Sequence, residues 1–151
     1  MFRICFCNVN NIGQHQKSYK TLQLKETIER RDIDLMCMAE MGVHWNSIPS
    51  QHAIWERTQG WFDNIRLSVA YNRNDPLARR GQYGGTAMVA VNTIVAKVNT
   101  CGYDTSGLGR WTWMLMRGKR DTITRIITAY CPCKPKITGT TGQHTVYAQH
   151  L

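Results

Sequence analysis

Apolar and polar positions fall into short blocks, and the most informative is residues 33–39. This almost uninterrupted apolar run, broken only by Asp34, stops abruptly at Glu40. Such a run reads as a strand buried on both faces, so Glu40 is delivered to the rim of a sheet. Upstream, residues 2–9 form a second apolar run, followed by the turn-rich exit Asn8-Val9-Asn10-Asn11-Ile12-Gly13. Between the two, residues 17–31 hold helix formers, the i,i+4 pair Leu24 and Ile28, and the charged end Glu29-Arg30-Arg31. Strand, helix and strand make a β-α-β unit, whose strands run parallel by the right-handed crossover rule. Both strands then end at one edge, which brings Asn8, Asn10 and Glu40 near one another. Ligands of open α/β sheets gather at that edge. A strand-ending Glu that merely faces water is the plainer alternative.

Further along, the chain alternates shorter elements. After a loop with Trp45 and Pro49, residues 50–57 read as a short helix that Ser50 could cap. Residues 65–71 alternate as a strand, and residues 72–83 form a polar connection carrying Arg73, Arg79 and Arg80. Gly84-Gly85 opens a strand over residues 86–91; the G-K-[ST] ending of a phosphate-cradling loop is missing, so a tight strand entry is the expected use. A further short strand is predicted over 95–99 and a loop over 104–109. Residues 110–117 and 121–130 pair as an antiparallel hairpin around Gly118-Lys119-Arg120. Residues 131–142 are rich in Pro, Gly and Thr, and 143–151 look like the opening of a helix. No repeat or linker divides the 151 residues, which fit one domain.

Composition adds a partner class. With 42% hydrophobic and 19% charged residues the chain is of ordinary globular type, but 19 Lys plus Arg against 10 Asp plus Glu leave a net charge of +9. That balance suits a polyanion such as nucleic acid. No stretch has the roughly 18 to 20 apolar residues of a membrane span, and the first residues turn polar too soon for a secretory signal. An intracellular location is expected, with cytoplasm and nucleus not distinguished. The six cysteines, Cys5, Cys7, Cys37, Cys101, Cys131 and Cys133, lack the paired C-x-x-C spacing of a zinc site and read as reduced core residues. His15, His44, His52, His144 and His150 read as surface or loop residues.

Four of these segments, taken in order, carry a resemblance. Cys7-Asn8-Val9-Asn10-Asn11 resembles a first strand ending in W-N-V-[ND]-G, and residues 32–40 resemble a D-I-L-x-L-Q-E-T segment. Gly84-Gly85-Thr86-Ala87-Met88 is similar to a G-G-x-A strand entry, and Ile127-Thr128-Ala129-Tyr130-Cys131-Pro132 to V-x-x-Y-x-P. Together they resemble the amino-terminal half of the endonuclease/exonuclease/phosphatase family, which includes exonuclease III and deoxyribonuclease I. Gly109-Arg110-Trp111 and the residues around Tyr130 look most like its mobile-element nuclease branch.

The resemblance implies an α/β (α+β) fold, the amino-terminal half of a two-sheet sandwich flanked by helices, with a mixed sheet beginning in the β-α-β unit. It implies a partial domain over 1–151 and Mg²⁺-dependent phosphodiester hydrolysis, with Mn²⁺ as the alternative ion. Glu40 and Asn8 become metal ligands, and Tyr130, Asn8 and Asn10 catalytic residues. Asn10 stands where many members have Asp. Arg79, Arg80, Arg110 and Lys119 are candidate contacts to a nucleic-acid backbone, DNA ahead of RNA. The family's G-D-x-N and S-D-H segments do not occur. Because general-base and orienting groups are worth about 10²- to 10⁴-fold each, the chain alone is expected to be inactive or nearly so. It is also expected to supply mainly one sheet, leaving an apolar face open to self-association. A noncatalytic basic nucleic-acid-binding relic and a fragment of an inositol phosphate or lipid phosphatase are the competing readings.

Overall fold

The computed structural model describes residues 1–15, 18–73, 82 and 84–131. Arg79, Arg80, Gly81, Pro132, Cys133, His144, His150 and the helix opening over 143–151 lie outside the described residues. Two sheets face each other. The first has the order β1-β2-β4-β3, from β1 (Ile4–Asn8), β2 (Leu35–Ala39), β3 (Ile65–Ala70) and β4 (Thr86–Val91); the second has the order β5-β6-β7, from β5 (Val98–Tyr103), β6 (Trp111–Arg117) and β7 (Ile123–Ala129). β1 and β2 are parallel in the register Ile4↔Leu35 to Asn8↔Ala39, joined through α1 (Tyr19–Arg30) as the β-α-β pattern requires. The remaining pairings are antiparallel.

Every residue of β2 is buried, because its two faces feed two cores. Met36 and Met38 pack with Ile28 of α1, Trp45 and Ile54 on the outer side; Leu35 and Cys37 pack with Met88, Met114 and Met116 between the sheets. This double coverage is what an unbroken apolar run anticipates. Cys5, Cys7, Cys37 and Cys101 are free thiols packed in or against these cores. Burial pushes the Cys7 thiol up to about 11, helped by Cys5 and Cys37.

Three expectations need correction. The chain supplies both sheets, not mainly one: β5, β6 and β7 cover the inner face of β2, β3 and β4, with Ser68 Oγ donating to Gly102 O at 3.0 Å across the gap. Apolar side chains stay open on the flanking strands, with Ile4 (49% exposed) and Phe6 (59%) on β1 and Ile123 (65%) and Ile127 (59%) on β7. The reason is that a hairpin pattern reports its own pairing and not the sheet it packs on. Second, the residues around 95–99 divide between a 3-10 turn, Asn92–Lys97, and the start of β5. Third, residues 50–57 form a 3-10 turn, Ser50–His52, and one helical turn, Ile54–Arg57, with no side-chain cap.

Candidate functional site

The β-α-β unit places its polar residues at one edge, and backbone hydrogen bonds hold them level. Val9 N donates to Ala39 O (2.9 Å), Asn11 N to Glu40 O (2.8 Å) and Ile12 N to Met41 O (3.0 Å). β4 begins there too: Met41 N donates to Gly85 O and Gly42 N to Gly84 O. Gly84 and Gly85 adopt φ of 80° and 86°, and a Cβ on Gly85 would stand 3.2 Å from Met41 Cβ, so this strand entry needs glycine.

Glu40 itself is left-handed, with φ 55°. That conformation is costly for a residue with a Cβ and few non-glycine residues adopt it. Asn10 and Asn11 are also left-handed, at 41° and 67°, a region that short amide side chains tolerate. Two side-chain turns secure this loop: Asn8 Oδ1 accepts from Asn10 N and Asn11 Oδ1 from Gly13 N, each at 2.9 Å. Among the described residues, no hydrogen bond or ion pair engages the Glu40 carboxylate.

Two cations brace the same loop. Lys20 Nζ donates to Val9 O (3.1 Å), Asn10 O (2.5 Å) and Asn11 O (2.9 Å). A lysine in the first helical turn opposes the macrodipole; the three carbonyls offset that. Arg57, 5% exposed, donates to His15 O, Thr21 Oγ1 and Gly13 O, each at 3.0 Å, and its guanidinium lies 5.6 Å from the Trp45 ring centre. Burial draws its pKa down to about 10.

The second sheet closes the other side of this edge. Thr128 of β7 is buried and its side chain adjoins the Cys37 thiol of β2, so Tyr130, two positions on and of the same facing, lies at the level where β2 ends. Tyr130 N donates to Arg110 O at 2.7 Å, and Arg110 N to Asp104 Oδ2 at 2.9 Å. Hydrogen bonds from Ser106 and Arg110 hold the Asp104 carboxyl below its ordinary range against the opposing effect of burial. Arg110 and Tyr130 thus share the edge of Asn8, Asn10 and Glu40. Lys119 does not: it sits in the β6–β7 turn at the far end of a seven-residue strand, on the order of 20 Å away at the usual rise of a strand.

The elements bring an acid, two amides and a tyrosine to one rim, but no complete metal cage. Among the described residues, no group of three or more His, Cys, Asp or Glu side chains could hold a metal ion. A lone carboxylate does not fit zinc, which takes its ligands as a protein-built tetrahedron. It does fit a hard ion such as Mg²⁺, which keeps several waters and is held by one or two carboxylates plus substrate phosphates.

Pattern reading missed Lys20, Arg57 and the pairing of Arg73 with two tyrosines. A cation in a first helical turn was the available signal for Lys20; the others depend on segments far apart in sequence.

The two-sheet sandwich is an α/β fold shared with proteins of known structure. The chain is similar to an AP endonuclease from Archaeoglobus fulgidus (15% identity, 99% of this chain and 48% of that one, TM-score 0.59). It is also similar to an endonuclease/exonuclease/phosphatase family protein from Leptotrichia buccalis (14% identity, 99% and 61%, TM-score 0.62). The likeness is one of fold, and the chain spans about half to three-fifths of these proteins' length. No family model matches the sequence, and no curated protein matches it.

Proposed function

We propose that the chain is part of a divalent-metal-dependent phosphodiesterase of the endonuclease/exonuclease/phosphatase family, a nuclease acting on DNA ahead of RNA. The observation that carries this reading is the Glu40 carboxylate, held in a left-handed backbone at the end of a doubly buried strand, level with Asn8. Glu40, with the second lone pair of Asn8 Oδ1, would hold Mg²⁺ or, as the alternative, Mn²⁺. Bound there, the ion supplies positive charge opposite the phosphate and the leaving oxygen. Since Asn8 Oδ1 already accepts from Asn10 N, the Asn8 amide nitrogen is left to donate to a phosphate oxygen. The Tyr130 hydroxyl is a second donor for the same group, and Asn10 orients Asn8. The absence of G-D-x-N and S-D-H from the sequence supports slow turnover by this chain alone and a partial domain.

The test separates binding from turnover. Mn²⁺ added to the labelled protein should broaden amide resonances of residues 8–11 and 40–42, and Glu40→Gln should abolish the effect at matched stability. Broadening that survives in Glu40→Gln would remove Glu40 from the role. A second reading, a noncatalytic nucleic-acid-binding relic, is favoured by the net charge of +9; it predicts salt-sensitive binding to DNA or RNA with no Mn²⁺ effect at Glu40.

A further inference from the structure

Arg73 lies just past β3, where sequence shows only another basic residue. Its backbone N donates to Gly107 O at 2.7 Å, and neighbouring Asn72 bridges to Leu108. Gly109 closes this junction: with φ 71°, a Cβ there would stand 2.5 Å from Tyr71 backbone atoms. The guanidinium carbon sits over two rings, 5.1 Å from the centre of Tyr71 and 5.0 Å from that of Tyr103. Tyr71 is itself fixed, buried to 7% exposure with its hydroxyl donating to Asn46 Oδ1 at 2.7 Å and its ring edge-on to His44. Tyr103 is 44% exposed.

An exposed arginine side chain ordinarily wanders, at a sizeable entropy. Here two rings pin the charge, and neither ring contact consumes an N–H. Among the described residues, no carboxylate forms an ion pair with it. The planar fork is therefore held in place with its donors available, the arrangement that suits bidentate binding of a phosphate. Its position agrees. Ala70 O of β3 lies 3.5 Å from where a Gly85 Cβ would be, and Met41, the residue after Glu40, flanks the same point, so β3 ends on the Glu40 edge.

We propose that Arg73, clamped by Tyr71 and Tyr103, is a phosphate-binding residue that grips the backbone of a nucleic acid beside the Glu40 rim. The exposed Tyr103 ring offers an adjoining face on which a base can stack. The proposal deepens the phosphodiesterase reading and rests on it.

The experiment measures fluorescence anisotropy of a short labelled DNA over a range of salt, with chelator present so that binding is read apart from metal and cleavage. Arg73→Ala should weaken binding about tenfold and reduce the slope of log K against log salt by about one. Arg73→Lys, which keeps the charge but not the fork, should fall between Arg73→Ala and the parent. Thermal melts establish that both variants fold, as expected for an exposed side chain. Parent-like affinity and slope in Arg73→Ala would overturn the Arg73 assignment and leave the phosphodiesterase reading standing. A parent chain that binds no DNA at any salt would overturn both.

Discussion

The ammonium of Lys20 donates to the carbonyl of Asn10 at 2.5 Å and takes the carbonyls of Val9 and Asn11 as well. One helical side chain thereby gathers the exit of β1 into the left-handed turn that keeps Asn8 level with Glu40. The loop is exposed to water, so the net contribution is modest. Lys20→Met is expected to lower stability by only about 1 kcal/mol, while amide hydrogen exchange of residues 10–13 should rise well beyond what that loss explains. Exchange rising equally across the β-sheet would show that Lys20 serves the whole fold.

Arg57 braces the same loop from the buried side, and the larger effect belongs there. Arg57→Ala would take the donor from the carbonyls of Gly13 and His15 and from Thr21 Oγ1. We expect a loss of roughly 3 kcal/mol, read as the urea midpoint. A loss below that of Lys20→Met would contradict this ranking.

The left-handed φ of 55° at Glu40 sets stability against chemistry. Glycine relieves the strain of a Cβ there but carries its own chain entropy, so Glu40→Gly should stabilise the protein by about 1 kcal/mol while losing any divalent-ion effect. Calorimetry checks the first part; destabilisation would mean that the Glu40 side chain contributes packing unseen in its surroundings.

Alkaline titration should destabilise the protein. The Cys7 thiol rises from its ordinary 9 to about 11, chiefly through burial. Between those values the unfolded chain has lost its proton and the native chain retains it, so stability is full below about pH 9 and falls as pH climbs to about 11. Burial raises Cys37 as well. Urea unfolding at several pH values should show the decline, and Cys7→Ala should flatten part of it; an unchanged slope in that variant would exclude Cys7 as its source.

The flanks of the sandwich remain open. β1 and β7 are outer strands of their sheets, carrying exposed Ile4 and Phe6, and Ile123 and Ile127. Unpaired edges with apolar side chains favour association. Sedimentation velocity is expected to show concentration-dependent self-association that Phe6→Lys and Ile127→Lys together suppress. A monomer at all concentrations for the parent would refute it.

The sequence by itself determined the β-α-β unit and the placing of Asn8, Asn10 and Glu40 at one edge, since period and turn chemistry are local and parallel strands must end together. The strand entry at Gly84 and the β6–β7 hairpin were legible for the same reason. Only the tertiary structure decided that β5, β6 and β7 cover the first sheet, that Arg57 and Lys20 clamp the β1 exit, and that Arg73 rests on Tyr71 and Tyr103. Those contacts join residues from separate segments through side-chain packing, and a one-dimensional pattern holds no record of which faces will meet.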